Sequence, residues 1–415
     1  MDEFTYVIIG GGMAGQRACE GIRRVDTEGS IALVTQEPHR PYQRPPLSKG
    51  YLQGREGLDK VYLQEASYYA ENRIELLQGV AATRIDPAAH TVSLADGREL
   101  RYKKLLLATG GRARRLPLPG ADLRGVLVLR TIEDSDAISE AAAPGRRVVI
   151  VGGSFIGAEV AASLTQRGAE VSMVFPEERL LKRVASAEVG AMLHDMYTAH
   201  GVRIHTGVVP ERFEGDGRVE RVVLADGTVL PTDLVVMGVG IVLNTELARE
   251  AGLEMTDHGA VLVDRYLRTS DADIYAAGDI AAWPDRTFDK VLRVEHWDVA
   301  RRHGLRAGRN MAGDERRYVS LPYFFSDMFD LSIEVWGDLT TWDRTVVRGD
   351  ISARRFTDFY FSEGTLVGVL TTGRDQERDA LQALVRARIP EGESERLVDE
   401  SVELDELLPK EKAAG

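Results

Sequence analysis

Short apolar runs broken by glycine turns set the pattern of this chain, and one phrase occurs twice. TYVII, residues 5–9, runs into GGGMAGQRACEGI, in which Ala14, Ala18, Cys19 and Ile22 fall on one helical face. The pattern predicts a buried strand, a tight turn and a helix. VVIV, residues 148–151, runs into GGSFIGAEV in the same way. The likeness continues downstream: Asp96-Gly97 precedes KKLLLATGG, and Asp226-Gly227 precedes TDLVVMGVG. The same thirteen-residue step separates Gly97 from Gly110 and Gly227 from Gly240. Each Asp-Gly pair suits a hairpin turn, because glycine accepts positive φ. Strand, glycine turn, helix, hairpin and buried strand, repeated in order, predict two copies of one α/β unit.

From about Ser320 the pattern changes. RRFTDFYFSEGTLVGVL is β-rich, with Glu363-Gly364 as a hairpin turn. RDQERDALQALVRARI reads as an amphipathic helix with Leu381, Leu384, Val385 and Ile389 on one face, ended by Pro390. This predicts a separate C-terminal α+β domain, with LLPKEKAAG as a frayed tail.

The 415 residues suit two or three domains. A formal charge of −13 argues against nucleic-acid binding, which needs a basic surface. One cysteine, Cys19, excludes an intrachain disulfide and a thiolate metal cluster, and its apolar helix face predicts a packing role. The eight histidines show no ligand spacing, so no metal site is expected. The opening MDEFTYVIIGGG lacks the layout of a signal peptide, and DLVVMGVGIVL at 233–243 is too short to span a bilayer. A cytoplasmic enzyme without membrane attachment is the expectation.

The glycine turns carry the first chemical clue. A pyrophosphate must approach the backbone closely, and glycines remove the Cβ atoms in its way, while the helix N-terminus offers unpaired N–H groups. Gly10, Gly12 and Gly15 fit G-x-G-x-x-G after a strand, and Gly152, Ser154 and Gly157 form the second copy. Ser154 either crowds the pyrophosphate slightly or donates a hydrogen bond to it. Two Rossmann-like dinucleotide-binding domains plus the C-terminal α+β domain are therefore predicted. An acid near the end of the second strand accepts from ribose hydroxyls. The first copy offers Gln36 and Glu37; the second holds Phe175 there, with Glu177 and Glu178 following. An acid at that place repels a 2′-phosphate and favours NADH, while Arg179, Lys182 and Arg183 keep NADPH open.

HRPYQRPPLSKGYL at 39–52, LLLATGG at 105–111, LRTIEDSDAI at 129–138, IYAAGDIA at 274–281 and RVEHWDVA at 293–300 resemble the FAD-dependent NAD(P)H:ferredoxin/rubredoxin reductases, a group related to apoptosis-inducing factor and monodehydroascorbate reductase. The resemblance spans nearly the whole chain. It implies an FAD domain over 1–110 and 242–321, an NAD domain over 111–241 and a C-terminal interface domain over 322–415. It implies that Gly10, Gly12, Gly15 and Glu37 hold FAD, with Gln36 standing where such reductases have a second acid. Arg44, Lys49 and Arg130 match FAD contacts, and Asp279 matches a partner of the ribityl chain. Ala14, Val80, Ala108, Thr109, Gly110 and Gly278 are implied cofactor contacts, and Glu295, His296 and Trp297 are placed beside the isoalloxazine. Gly152, Ser154, Phe155, Ile156, Gly157, Glu177 and Gly240 match NAD contacts. Phe325 replaces the tryptophan expected over the nicotinamide side of the flavin, which leaves a smaller ring with no N–H. Glu334 fits an acid or amide at the same site.

The chemistry implied is hydride transfer from NADH to FAD, then release of single electrons to a ferredoxin- or rubredoxin-type protein. We expect a Lys49–Glu159 ion pair near the flavin, with Glu159 in the first turn of the second-copy helix; a plain interdomain salt bridge is the competing reading. His296 is a second catalytic candidate beside a purely structural histidine. Without a cysteine pair, disulfide reduction is excluded. Arg301, Arg302, Arg306 and Arg309 are candidates for steering an acidic partner, against a solvated helix face. A monodehydroascorbate- or quinone-type reductase and an NAD-dependent switch with slow turnover are the alternatives. The assembly is expected to be a monomer or homodimer.

Overall fold

A strand that is apolar on both faces needs cover on both sides, and the strands of the two repeats meet that need as parallel sheets. The computed structural model describes residues 2–409. Contacts divide the chain into two units. The first takes the residues up to Pro45, Gly57–Arg112 and Ile241–Pro322; the second takes Pro46–Glu56, Ala113–Gly240 and the residues from Tyr323 on. Pro46–Glu56, which the sequence places inside the FAD domain, thus packs with the other unit. The carbonyls of Leu47, Ser48 and Leu52 accept from Ser135 Oγ (2.9 Å), Ser163 Oγ (2.7 Å) and Arg167 Nη1 (2.9 Å).

In the first unit, Asp2–Ile9 lies between Ile31–Thr35 and Glu99–Leu107, all parallel, and Ile74–Gln78 closes one side. Glu99–Leu107 is long enough to serve two neighbours. Its first half pairs antiparallel with Thr91–Leu94 across the Asp96-Gly97 hairpin, and its second half pairs parallel with Ile274–Ala276. The first-turn helix Met13–Arg23 buries Ala14, Ala18, Cys19 and Ile22. Its partner is the helix Trp297–Met311, and small residues let the two backbones touch. A Cβ added at Gly304 would stand 2.1 Å from the Ala14 carbonyl oxygen, and one at Gly308 would stand 2.1 Å from that of Ala18. On the same late helix, His303 is fully buried against Trp283 (ring centroids 4.5 Å) and Tyr318 (4.3 Å). Burial pushes His303 down to about 3, so it is neutral in the folded protein.

In the second unit, Val126–Val128, Leu234–Met237, Arg147–Val151, Glu170–Phe175 and Arg203–Thr206 form a parallel sheet in that order. Here the Asp226-Gly227 hairpin belongs to a separate antiparallel sheet, so the single long strand of the first copy is split in the second. Val149, Val174, Val235 and Met237 join Phe213 and Val222 in one apolar core.

Residues from Tyr323 form a five-stranded antiparallel sheet with the helix Arg378–Ala387 against it. Glu363 and Gly364 both take positive φ, as the predicted hairpin requires. The helix is shorter than its periodicity suggests. Arg388 ends the helix in a left-handed conformation (φ 50°), and Ile389, barred from helical geometry by Pro390 after it, is buried from beyond the helix end. Of the expected tail, Leu407 is buried; ahead of it, Leu404 is buried and Arg348 donates to the carbonyls of Leu397, Asp399 and Val402. The end of the expected tail, from Lys410, lies outside the described residues. The architecture is α/β, with two Rossmann-type sheets and a C-terminal α+β region. No helix among the described residues is long and apolar enough to cross a membrane.

Two predictions follow from the first unit. Gly308→Ala drives a methyl into the Ala18 carbonyl and should cost ~1–3 kcal/mol in urea unfolding. His303 binds its proton in the unfolded chain near pH 6.5 but not in the folded one until about pH 3, so it withdraws stability as pH falls across that window. His303→Leu should therefore flatten the acid limb of stability between those values, measured by thermal unfolding at stepped pH.

Candidate functional site

The two glycine turns share one construction. Gly10 (φ 121°) and Gly152 (φ 122°) sit at the strand ends, where a Cβ would meet the carbonyl oxygens of Ala108 (2.2 Å) and Gly238 (2.3 Å). A Cβ at Gly15 would meet the Gly10 oxygen at 2.0 Å, and one at Gly157 the Gly152 oxygen at 2.2 Å. These four glycines are required by close packing of strand, turn and helix. Gly12 differs: a Cβ there would find nothing within 4 Å. The turn is jammed on its protein side and open at its middle residue, which is what a pyrophosphate needs. In the second copy the middle residue is Ser154, and its hydroxyl donates to the Gly238 carbonyl (2.8 Å). That hydroxyl proton is already spent, so Ser154 braces the turn and has no proton left to donate to a phosphate.

Further likeness lies under the turns. A Cβ at Gly11 would strike Thr35, and one at Gly153 would strike the Phe175 ring. Phe175 therefore matches Thr35 as the packing residue at the strand end, which makes Glu37 and Glu177 equivalents, each two positions later. In the first unit, Glu37 accepts from Arg44 Nη2 (2.8 Å) and from the Tyr42 hydroxyl. Gln36 is exposed, and the Val80 amide bonds Thr35 (3.1 Å). Gly278 (φ 77°) approaches Ala14: a Cβ would lie 3.3 Å from the Ala14 methyl. Asp279 follows in a short 3-10 turn, and its carbonyl accepts weakly from Arg293 (3.5 Å), which also pairs with Glu295 (2.6 Å). His296 caps the helix that begins at Trp297. Burial pushes His296 down to about 4, opposed by Asp279 and Asp298, so the ring is neutral at physiological pH and holds no proton to give as an imidazolium.

Sequence reasoning missed the residue that fixes Ala108-Thr109-Gly110. The Asn244 amide donates to the Gly110 carbonyl (2.9 Å), its side chain donates to the Thr109 carbonyl (3.1 Å), and Thr109 Oγ1 donates to the Asn244 carbonyl (2.5 Å). Its position just after the apolar run at 233–243 was the only signal.

In the second unit, Lys49 Nζ lies 3.1 Å from Glu159 Oε1, 3.7 Å from Asp327 and 4.8 Å from the centroid of the Phe325 ring. Lys49, Glu159 and Phe325 thus come together. Glu334, opposite Phe325 in the sheet register, is held by Arg378 (2.7 and 3.1 Å) and the Tyr323 hydroxyl (2.7 Å). Phe155 packs edge-on against Phe324 (4.8 Å), while Ile156 is 42% exposed. The Arg130 amide is held by Asp134 (2.8 Å) at a capped helix start, and the Gly240 carbonyl accepts from the Arg114 amide (2.9 Å). Glu177 borders a cleft of about 590 Å³ with Arg179, Lys182, Arg183, Thr340, Thr341 and Trp342. Arg179 and Lys182 are both bound to Glu178.

Residues 4–304 match the pyridine nucleotide-disulphide oxidoreductase family, and residues 323–408 match the reductase C-terminal family. The chain belongs to the pyridine nucleotide-disulphide oxidoreductases. It is 37% identical over 413 residues to the 5,5'-dehydrodivanillate O-demethylase ferredoxin reductase subunit of Sphingobium sp., covering 98% of this chain and 99% of that one. It is 35% identical to putidaredoxin reductase of Pseudomonas putida, with 99% and 98% covered. The fold matches the reductase in a solved covalent putidaredoxin reductase–putidaredoxin complex with a TM-score of 0.92 at 34% identity, over 98% of both chains.

Within this family, a member with a single thiol cannot form the dithiol pair that reduces disulfides. Cys19 is fully buried, and burial pushes its thiol up to about 12, leaving it inert at neutral pH. The arginines that were candidates for steering a partner, against a solvated helix face, are each paired locally. Arg301 (2.7 Å) and Arg302 (2.5 Å) pair with Asp298, and Arg309 (2.7 Å) and Arg306 (3.7 Å) with Asp314. Two buried or half-buried acids offset four cations, so this helix offers a far weaker basic rim than its sequence suggests.

Ser154→Ala should cost ~1 kcal/mol of stability in urea unfolding through the lost bond to Gly238, while NADH affinity measured by titration stays within about twofold.

Proposed function

We propose that the protein is an FAD-dependent NADH reductase that delivers single electrons to a ferredoxin- or rubredoxin-type iron–sulfur protein. The observation that carries this is the pairing of two pyrophosphate-type turns in a chain whose one thiol is buried and inert. Two turns imply two dinucleotides; the missing dithiol sends electrons onward to an external acceptor. The end-to-end relatives, named as ferredoxin and putidaredoxin reductases, agree with that reading. Cytoplasmic location belongs to the same proposal.

The first turn, with Gly10, Gly12 and Gly15, would hold FAD, and Glu37, fixed by Arg44 and Tyr42, would take the ribose. The Asn244-braced carbonyl segment and Asp279 would line the same site. FAD, when bound, would accept a hydride and release electrons one at a time. The second turn, with Gly152 and Gly157, would hold NADH. Glu177 would accept from its ribose hydroxyls and repel a 2′-phosphate. Arg179 and Lys182 are engaged by Glu178, so fewer cations remain for NADPH than the sequence suggests. Lys49 would present a positive charge where negative charge builds up on reduction, held there by Glu159.

Three measurements test this. The purified protein should be yellow, and NADH should drive reduction of added ferredoxin; a colourless protein that stays so with FAD would refute it. Lys49→Ala should slow flavin reduction by NADH about tenfold or more in stopped flow. Glu177→Ala should shift kcat/KM toward NADPH by roughly tenfold relative to NADH.

A further inference from the structure

Glu159 is only 5% exposed, and a carboxylate so buried needs its lone pairs filled. Lys49 alone does not fill them. Ser48 Oγ donates to Glu159 Oε2 at 2.5 Å, and Ser326 Oγ donates to Oε1 at 2.6 Å, beside the Lys49 contact at 3.1 Å. Both serines are 1% exposed. The three donors come from two separate segments, the loop Pro46–Glu56 and the strand Tyr323–Met328, while Glu159 rides on the helix Phe155–Gln166.

We propose that Ser48 and Ser326 are positioning residues for flavin reduction: their hydroxyls grip both oxygens of Glu159 and so fix the direction in which it holds Lys49. This rests on the reading of Lys49 and Glu159 given above. Two features separate this role from plain packing. The loop does not need the Ser48 hydroxyl to stay docked, since the carbonyls of Leu47, Ser48 and Leu52 are already held by Ser135, Ser163 and Arg167. Ser326 is likewise held by backbone pairing opposite Ile333. Neither hydroxyl is therefore needed to dock its own backbone, and each is directed at Glu159. The two grips also differ: Ser48 alone holds Oε2, whereas Ser326 shares Oε1 with Lys49. Without Ser48, Oε2 loses its partner and the carboxylate is held through Oε1 alone; without Ser326, Ser48 still holds Oε2 and Lys49 still holds Oε1. Ser48 is therefore the stronger of the two.

The test uses Ser48→Ala, Ser326→Ala and Ser326→Thr, with Lys49→Ala as the control. Stopped-flow reduction by NADH in the holoenzyme should slow about tenfold in Ser48→Ala and severalfold in Ser326→Ala, with the NADH dissociation constant within twofold; Ser326→Thr, which keeps a hydroxyl, should recover the rate. In flavin-free protein, amide exchange over residues 46–56 should match wild type in Ser48→Ala, because the carbonyl bonds remain. Wild-type reduction rates in both alanine variants, with Lys49→Ala slow, would overturn the grip and leave the ion-pair reading standing. A wild-type rate in Lys49→Ala would overturn that reading and the grip with it. Faster exchange over 46–56, or no recovery in Ser326→Thr, would assign the serines to packing and overturn the proposal.

Discussion

A carboxylate buried away from water is a demand that the surrounding chain must answer, and Glu159 makes that demand in the second unit. An unfilled carboxylate there would cost several kcal/mol. The answer comes from a loop that the sequence assigns to a different domain and from a strand of the C-terminal sheet. Each donor must arrive at hydrogen-bond distance, so the positions of the loop, the helix and the edge strand are mutually constrained. Phe325 and Asp327 flank Ser326 on the same strand, and both reach Lys49. Charge placement and chain placement are thus one problem here.

The repeat shows which positions of one construction are fixed and which can vary. The outer glycines of both turns are fixed by backbone oxygens about 2 Å from where a Cβ would stand, so neither copy could change them. The middle position faces away from that packing and could change: glycine in one copy, a self-bonded serine in the other. Beneath the turns, Thr35 and Phe175 fill the same place with different bulk, and the acid two residues later is retained in both. The variation therefore falls where the fold leaves slack.

The turns, hairpins and domain classes were legible in the sequence because each depends on local rules: positive φ at glycine, period-two strands and helical spacing of apolar side chains. The Lys49–Glu159 pair was legible only through resemblance, since the two residues are far apart in the chain. Ser48 and Ser326 were not legible, and Asn244 was marked only by its place after the apolar run at 233–243. Their roles come from hydrogen bonds across distant segments, and a lone serine or asparagine carries no pattern. The pairing of the arginines on the Trp297–Met311 helix was hidden for a related reason. Charge counting saw four cations but not that Asp298 and Asp314 close on them. The helix near the C-terminus was placed well, yet its end was not, because a left-handed Arg388 stops it before its apolar stripe is complete.

The glycine-lined contact between the helices Met13–Arg23 and Trp297–Met311 has a consequence for biosynthesis. The early helix leaves the ribosome with its small-residue face bare, and the surface that covers it is translated only after most of the chain has emerged. The intervening parallel sheet at residues 126–237 has all its strands within one stretch and can assemble during that wait. The first unit therefore cannot close its core until the residues up to 311 have been made.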